Sequence, residues 1–174
     1  MLIVAPSARS ALELIQQIHS RLPPGARGDL TVDDSTAGSP VYFLDLYFPE
    51  IKVGGYALWL QVFALGAENA MLPITARRSH FMLVVADARD KAALEDARWS
   101  KLRAEASKVA LAHVHLLLTH SDAAAAATAD EVRESTGLAF VSVSRTPAAF
   151  DSETGVSAIE QIVRDVVRAN TPLP

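Results

Sequence analysis

Met1-Leu2-Ile3-Val4-Ala5-Pro6-Ser7-Ala8-Arg9-Ser10-Ala11-Leu12, running on to Leu22, is the stretch from which the rest of the chain is read. Met1–Val4 is a short apolar run, expected to form a buried strand. Ala5–Ser10 interrupts it. Apolar side chains then recur at Ala11, Ile15, Ile18 and Leu22, a helical spacing. Strand, tight loop and helix form the layout of a phosphate-binding loop, yet this loop lacks the residues that bind phosphate.

The chain has 174 residues, enough for one domain with a sizeable core. Hydrophobic residues make up 50% and charged residues 21%, a balance that fits globular packing rather than disorder. The formal net charge of -4 argues against nucleic acid or an anionic membrane as main partner. There is no cysteine, hence no disulfide framework and no thiolate metal site. No apolar run approaches the ~20 residues of a membrane span. The N-terminus lacks the basic region that precedes a signal peptide's apolar segment. The expectation is a soluble, cytoplasmic protein.

Pro23–Gly28 reads as a loop, and Thr31–Pro40 as polar and turn-rich. Val41–Phe48 is aromatic and β-branched, and Leu58–Ala64 follows after a turn containing Gly54-Gly55, so the two runs predict an antiparallel pair. Gly66–Arg78 reads as a loop with one or two helical turns. Phe81–Ala86 is continuously apolar, as a parallel strand covered on both faces requires. Lys91–Val109 predicts a helix with Leu94, Arg98, Leu102 and Ala106 near one stripe and Trp99 beside it, and His113–Thr119 another strand. Thr128-Ala129-Asp130-Glu131 fits a capping box that opens a helix closed by Gly137. Leu138–Val143 reads as the last strand and Ser157–Ala169 as the last helix, buried through Val156, Ile159, Val163 and Val166/Val167. The alternation predicts a single α/β domain over residues 1–174. Its sheet is expected to be doubly wound and mostly parallel, with six strands and one antiparallel edge strand. Ligands of such sheets sit at the C-terminal strand ends. Ala5–Ser10, Gly66, Asp87, Thr119–Asp122 and Ser142–Thr146 fall there.

This order of elements resembles that of Ras-like small GTPases. The likeness is greatest to the bacterial MglA-type branch, which controls polarity in gliding bacteria. Tyr42-Phe43-Leu44-Asp45 resembles that branch's second strand, and Gly55-Tyr56-Ala57 through Ala64-Leu65-Gly66-Ala67 its third. Leu83–Ala88 and Leu116–Asp122 resemble the fourth and fifth. The resemblance spans nearly the whole chain and rests on serial order and spacing.

Against the family's motifs the chemistry is missing. A phosphate loop of the form G-x-x-x-x-G-K-[ST] needs glycines for close backbone approach, a lysine for β and γ charge, and a hydroxyl for Mg²⁺. Here Ala5 and Ser10 stand at the glycine places, Ala11 at the lysine and Leu12 at the Mg²⁺ ligand. Pro6 removes a backbone donor. The helix N-terminus and Arg9 offer positive charge, enough for a weakly held anion. In the D-x-x-G box, Phe63 replaces the aspartate, Gly66 persists, and Ala67 or Glu68 stands where a glutamine would orient water. The base-reading N-K-x-D box reads Thr119-His120-Ser121-Asp122, keeping only Asp122. The last box is at best Ser142-Val143-Ser144. The residues implied by the resemblance are thus Ala5, Ser7, Arg9, Ser10, Ala11, Leu12, Gly66, Thr119, Asp122 and Ser144. No catalytic residue and no metal ligand is expected among them, and GTP, GDP and Mg²⁺ binding is expected to be absent or weak.

Each of these residues also has a structural reading. Ser7 and Ser10 suit a cap for the first helix, and Asp122 one for the alanine-rich Ala123–Ala127. Asp87 suits a turn at its strand end. His113 and His115 are two apart on a predicted strand, a spacing zinc sites use, but lack a third ligand. Arg77-Arg78 reads as a solvated face. There is no G-x-S-x-G elbow, no acidic pair after the first strand and no dinucleotide glycine fingerprint.

The expected function is that of a non-catalytic, pseudo-GTPase signalling or scaffold protein acting through protein contact in bacterial polarity or motility. The resemblance implies a roadblock/LC7-type dimer or a true small GTPase as partner. The face from Val41 through Arg78, with Tyr42, Tyr47, Trp59 and Phe63, is the expected binding surface, about half of those aromatics being buried. The alternative is an unorthodox GTP-binding protein or weak GTPase with a non-standard loop. A third reading is a spacer subunit of a larger assembly.

Overall fold

The opening run forms β1 (Leu2–Ala5) in a computed structural model that describes residues 1–34, 39–53, 55–109, 113–146, 157, 160, 161 and 164. It is followed by α1 (Ala8–Arg21), β2 (Thr31–Asp33), β3 (Val41–Val53), β4 (Tyr56–Gly66) and α2 (Leu72–Arg78). Then come β5 (Met82–Asp87), α3 (Arg98–Ala106), β6 (Val114–Thr119), α4 (Ala129–Thr136) and β7 (Ser142–Arg145). The strands lie in one sheet in the order β2-β3-β4-β1-β5-β6-β7. From β4 to β7 all neighbours are parallel, while β3 runs antiparallel to both β2 and β4.

The fold is therefore α/β and mostly parallel, with an antiparallel side, as expected. The strand count is seven rather than six. Thr31–Asp33, taken as polar loop, pairs with Val41–Phe43 and becomes the edge, leaving β3 one place in. Its β-branched Thr31 and Val32 suit a short half-covered strand, a signal too brief to stand out among turn residues.

The buried alternation in β5 shows why helices must lie on both faces. Leu83 and Val85 join one core cluster with Ile15 and Ile18 of α1. Met82, Val84 and Ala86 join another with Leu72 of α2, Trp99 and Leu102 of α3, and Val132 of α4. Each of the leucine, isoleucine, valine and methionine side chains stabilises the fold by roughly 1.5–3 kcal/mol on burial. The chain crosses from β1 to the β4 side through α1, and from β4 to β5 on the other side of β1 through α2. The strand order thus reverses between β1 and β5, which opens a crevice at their C-terminal ends.

Several local expectations are corrected. Lys91–Val109 is not one helix: a 3₁₀ turn at Ala92–Glu95 precedes α3. Asp96 interrupts them by accepting the Arg98 N–H at 2.8 Å, and the Trp99 indole reaches back to the Ala93 carbonyl at 2.8 Å. The last strand is Ser142–Arg145, not Leu138–Val143. Leu138 and Phe140 are buried as loop residues packed on the second cluster, so their apolar character reflects burial, not pairing. The alanines at 123–127 form turns instead of a helix. The segment is drawn to β5 by Ala127 N–H donating to the Ala88 carbonyl at 2.7 Å, and tertiary bonds override propensity. The capping box is as read: Thr128 accepts from Glu131 N–H, Glu131 accepts from Thr128 N–H, and Gly137 ends α4 at φ 64°. Ser157, Glu160, Gln161 and Arg164 are helical, and Arg164 meets Glu50 of β3 at 3.1 Å. Gly54, Val156, Ile159, Val163, Val166 and Val167 lie outside the described residues.

Candidate functional site

The crevice at the β1/β5 reversal is built first from the loop after β1. Ser7 caps α1, its Oγ accepting the Ser10 N–H at 3.3 Å, with the two hydroxyls 3.0 Å apart. This is the capping role that serine fills at helix starts. Ala11 N–H turns toward the Ser7 carbonyl at 3.5 Å. The Ala8 N–H donates to Glu68 Oε1 at 3.3 Å, across 60 residues of sequence. Glu68 reaches that position over Gly66. A β-carbon at 66 would lie 2.6 Å from Ala8 N and 2.6 and 2.7 Å from the two Glu68 oxygens. At the helix end that could hold a phosphate, the Ala8 and Ser10 donors are thus answered from within the chain.

The side chains at the phosphate and Mg²⁺ places do not fit those groups. Ala5 and Ala11 are fully buried in the core, and Leu12 packs on it. Arg9 turns away to solvent, 87% exposed, and pairs with Glu13 one helical turn on at 2.9 Å. Phe63 packs edge-to-face on Phe43 with ring centres 5.3 Å apart.

On the far side, Thr119 Oγ1 is buried and donates to the Ala86 carbonyl at 3.4 Å. His120 adopts φ 53°, a sparsely populated region that histidine tolerates better than most residues. Its Nδ1 lies 3.4 Å from both Asp87 Oδ1 and Thr119 Oγ1. Asp87 accepts from Arg89 N–H at 3.0 Å and from the guanidinium at 3.1 and 2.7 Å. Partial burial pushes the Asp87 carboxyl up, but the Arg89 hydrogen bonds and the His120 charge outweigh it and hold the group below its ordinary value. Asp87 ends β5, and its carboxylate serves the turn that follows through the Arg89 N–H, the turn role read for it.

Two adjoining crevices of about 140 and 200 Å³ open here, bordered by Ser7, Ser10, Asp87, Arg89, Thr119 and His120. Both are smaller than the roughly 300 Å³ at which ligand pockets begin. Glu13, Asp87 and Asp90 line them. The cations Arg89 and Arg98 are each engaged by an aspartate, Asp87 and Asp96. Such a rim disfavours a polyanion.

The remaining sequence-derived residues are not brought in. Asp122 is exposed in a turn, and α4 starts only at Ala129 under the Thr128 cap, so Asp122 caps no helix. Ser144 lies within β7 opposite Leu117, inside the sheet rather than at its mouth. His115 alone of the histidine pair is in β6, where Nδ1 meets Ser142 Oγ; His113 precedes the strand. Among the described residues no three His, Cys, Asp or Glu side chains form a metal-binding group. Arg77 and Arg78 are exposed at the end of α2.

What spacing missed is the segment after β4. Glu68 was placed only as the occupant of a water-orienting position. Asn69, 1% exposed, donates through Nδ2 to the Ser39 and Pro40 carbonyls at 2.6 and 3.3 Å and accepts from Met71 N–H at 2.7 Å. A glycine directly after a predicted strand was the available signal, since it permits close approach.

The expected binding surface is partly laid open. Phe43–Phe63, Asp45–Gln61 and Tyr47–Trp59 are directly paired across β3 and β4, and so share one sheet face. Tyr42 points to the other face and is buried. Phe63 and Tyr47 are half-buried, and Trp59 is 66% exposed.

The chain matches no protein-family model and no curated protein. Among the described residues no helix is long and apolar enough to cross a membrane.

Proposed function

We propose that this chain is a non-catalytic, small-GTPase-like signalling or scaffold protein of the cytoplasm that works through protein–protein contact. The observation that carries the reading is the Glu68 carboxylate on the Ala8 N–H, at the helix end where a phosphate would have to sit. The buried Ala11, the Leu12 packed on the core and the acidic rim support it, because neither side chain can neutralise a triphosphate or hold Mg²⁺. A protein of this kind cannot switch by hydrolysis and must act by which partner it holds. The Tyr47–Trp59 end of the β3/β4 face is the proposed contact surface, with a roadblock-type dimer or a true small GTPase of a bacterial polarity system as partner. Large exposed aromatics are common anchors of such contacts.

Isothermal titration with GDP and GTP, with and without Mg²⁺, tests the first half of the reading. No binding is expected in the micromolar range, and micromolar or tighter affinity would overturn it. The rival reading, a GTP-binding protein with a non-standard loop, draws on the exposed Asp122 at the guanine-reading place, and the same titration decides between the two.

A further inference from the structure

We infer that Glu68 is a built-in stand-in for a bound anion, a carboxylate that closes the α1 N-terminus and locks the segment after β4 in a single arrangement. Three observations converge on it. The carboxylate accepts the Ala8 N–H at 3.3 Å. The backbone at Gly66 passes so near that helix end that only a residue without a side chain fits, a β-carbon there lying 2.6 Å from Ala8 N. Beside it, Asn69 ties the same segment to the Ser39 and Pro40 carbonyls, just ahead of β3.

These contacts make the α1 N-terminus, the approach to β3 and the exit from β4 one hydrogen-bonded unit. An acidic group at a helix N-terminus is favoured by the partial positive charge there. Arg98, whose guanidinium also feels the Glu68 charge, adds a cation nearby. A carboxylate carried by the chain competes at an effective concentration on the order of millimolar, whatever free anions are present. Two neighbouring positions offer little to a rival: Ser10 N–H is held by Ser7 Oγ, and Pro6 has no N–H. Naming the joined segments as those that would respond to a nucleotide rests on the small-GTPase-like reading proposed above. The lock itself is a matter of geometry. Its consequence is that a free anion reaches the Ala8 amide only by displacing Glu68.

The test compares the wild-type chain with Glu68→Ala and Glu68→Gln, following backbone amide resonances during titration with inorganic pyrophosphate and measuring amide hydrogen exchange. Glu68→Gln has nearly the same shape and guards against a folding failure of the alanine variant. Both variants are expected to bind pyrophosphate roughly two- to fivefold more tightly than wild type, the factor a helix-end charge interaction implies. Shifts should be centred on Ala8 and Ser10, and exchange at Ala8 should quicken by a similar factor. Equal pyrophosphate response and equal Ala8 exchange in all three proteins would overturn the inference. Binding of GTP with Mg²⁺ by the wild type would instead overturn the proposed function, and the comparison among the three proteins would still report on Glu68 separately.

Discussion

Tyr47 and Trp59 face each other across β3 and β4 with ring centres 5.6 Å apart, and the indole remains 66% exposed. The other tryptophan, Trp99, is buried at 3% and hydrogen-bonded to the Ala93 carbonyl. The two therefore report on different things. Acrylamide should quench Trp59 and leave Trp99 shielded, so Trp59→Phe is expected to remove most of the quenchable emission. Trp59→Ala should change stability by only about 0.5 kcal/mol, as for surface positions, while weakening partner capture. Loss of the fold in Trp59→Ala would show that the ring is structural.

Gly66→Ala drives a methyl into the Ala8 backbone, 2.6 Å away, and into the Glu68 carboxylate. The carboxylate can swing aside, but the helix start cannot without dragging α1. A loss of about 1–3 kcal/mol is expected, typical of forced overpacking. It should appear as a lower urea midpoint with an unchanged slope. An unaltered midpoint would mean that the approach is looser than described.

Leu83 is fully buried in the central β5 beside Ile15 and Ile18. Leu83→Ala removes its side chain from a site where helix and neighbouring strands leave little room to collapse. The expected cost is roughly 2–5 kcal/mol, read from denaturant unfolding. Less than about 1 kcal/mol would imply that α1 does not pack there.

Glu131 is held at about 2, against an ordinary 4.5, first by the Lys91 ammonium and then by the Thr128 N–H and hydroxyl. The folded state therefore favours the ionised carboxylate. Its contribution is present in full above pH 4.5 and is lost as pH falls toward 2. The thermal midpoint should drop across that window, and Glu131→Gln should drop less over it than wild type. Equal slopes in the two proteins would sink the assignment. Thr128→Ala should cost about 1 kcal/mol at neutral pH, the usual cost of losing a side-chain cap.

Features fixed by near neighbours were legible in the chain. The apolar run in β5, the Ser7 and Thr128 caps and the Gly137 stop each depend on residues within a turn or two of one another. Features fixed by distant partners were not. The alanines at 123–127 have the strongest helix preference in the chain, yet Ala127 is bonded to Ala88 and the run turns instead. The apolar pattern of Lys91–Val109 looked continuous, yet Asp96 divides it by accepting the backbone N–H of Arg98, two residues on. Thr31–Asp33 became a strand only because Val41–Phe43 lay beside it.

The residues by themselves determined the chemistry available at their own positions. Ala11, Leu12 and Phe63 cannot neutralise phosphate or bind a cation in any conformation, because that capacity is a property of side-chain chemistry. Tertiary structure alone decided what meets the start of α1. Only the parallel register that sets Ala5 beside Gly66 brings Glu68 to the amide of Ala8, and no local spacing encodes a contact that two paired strands create.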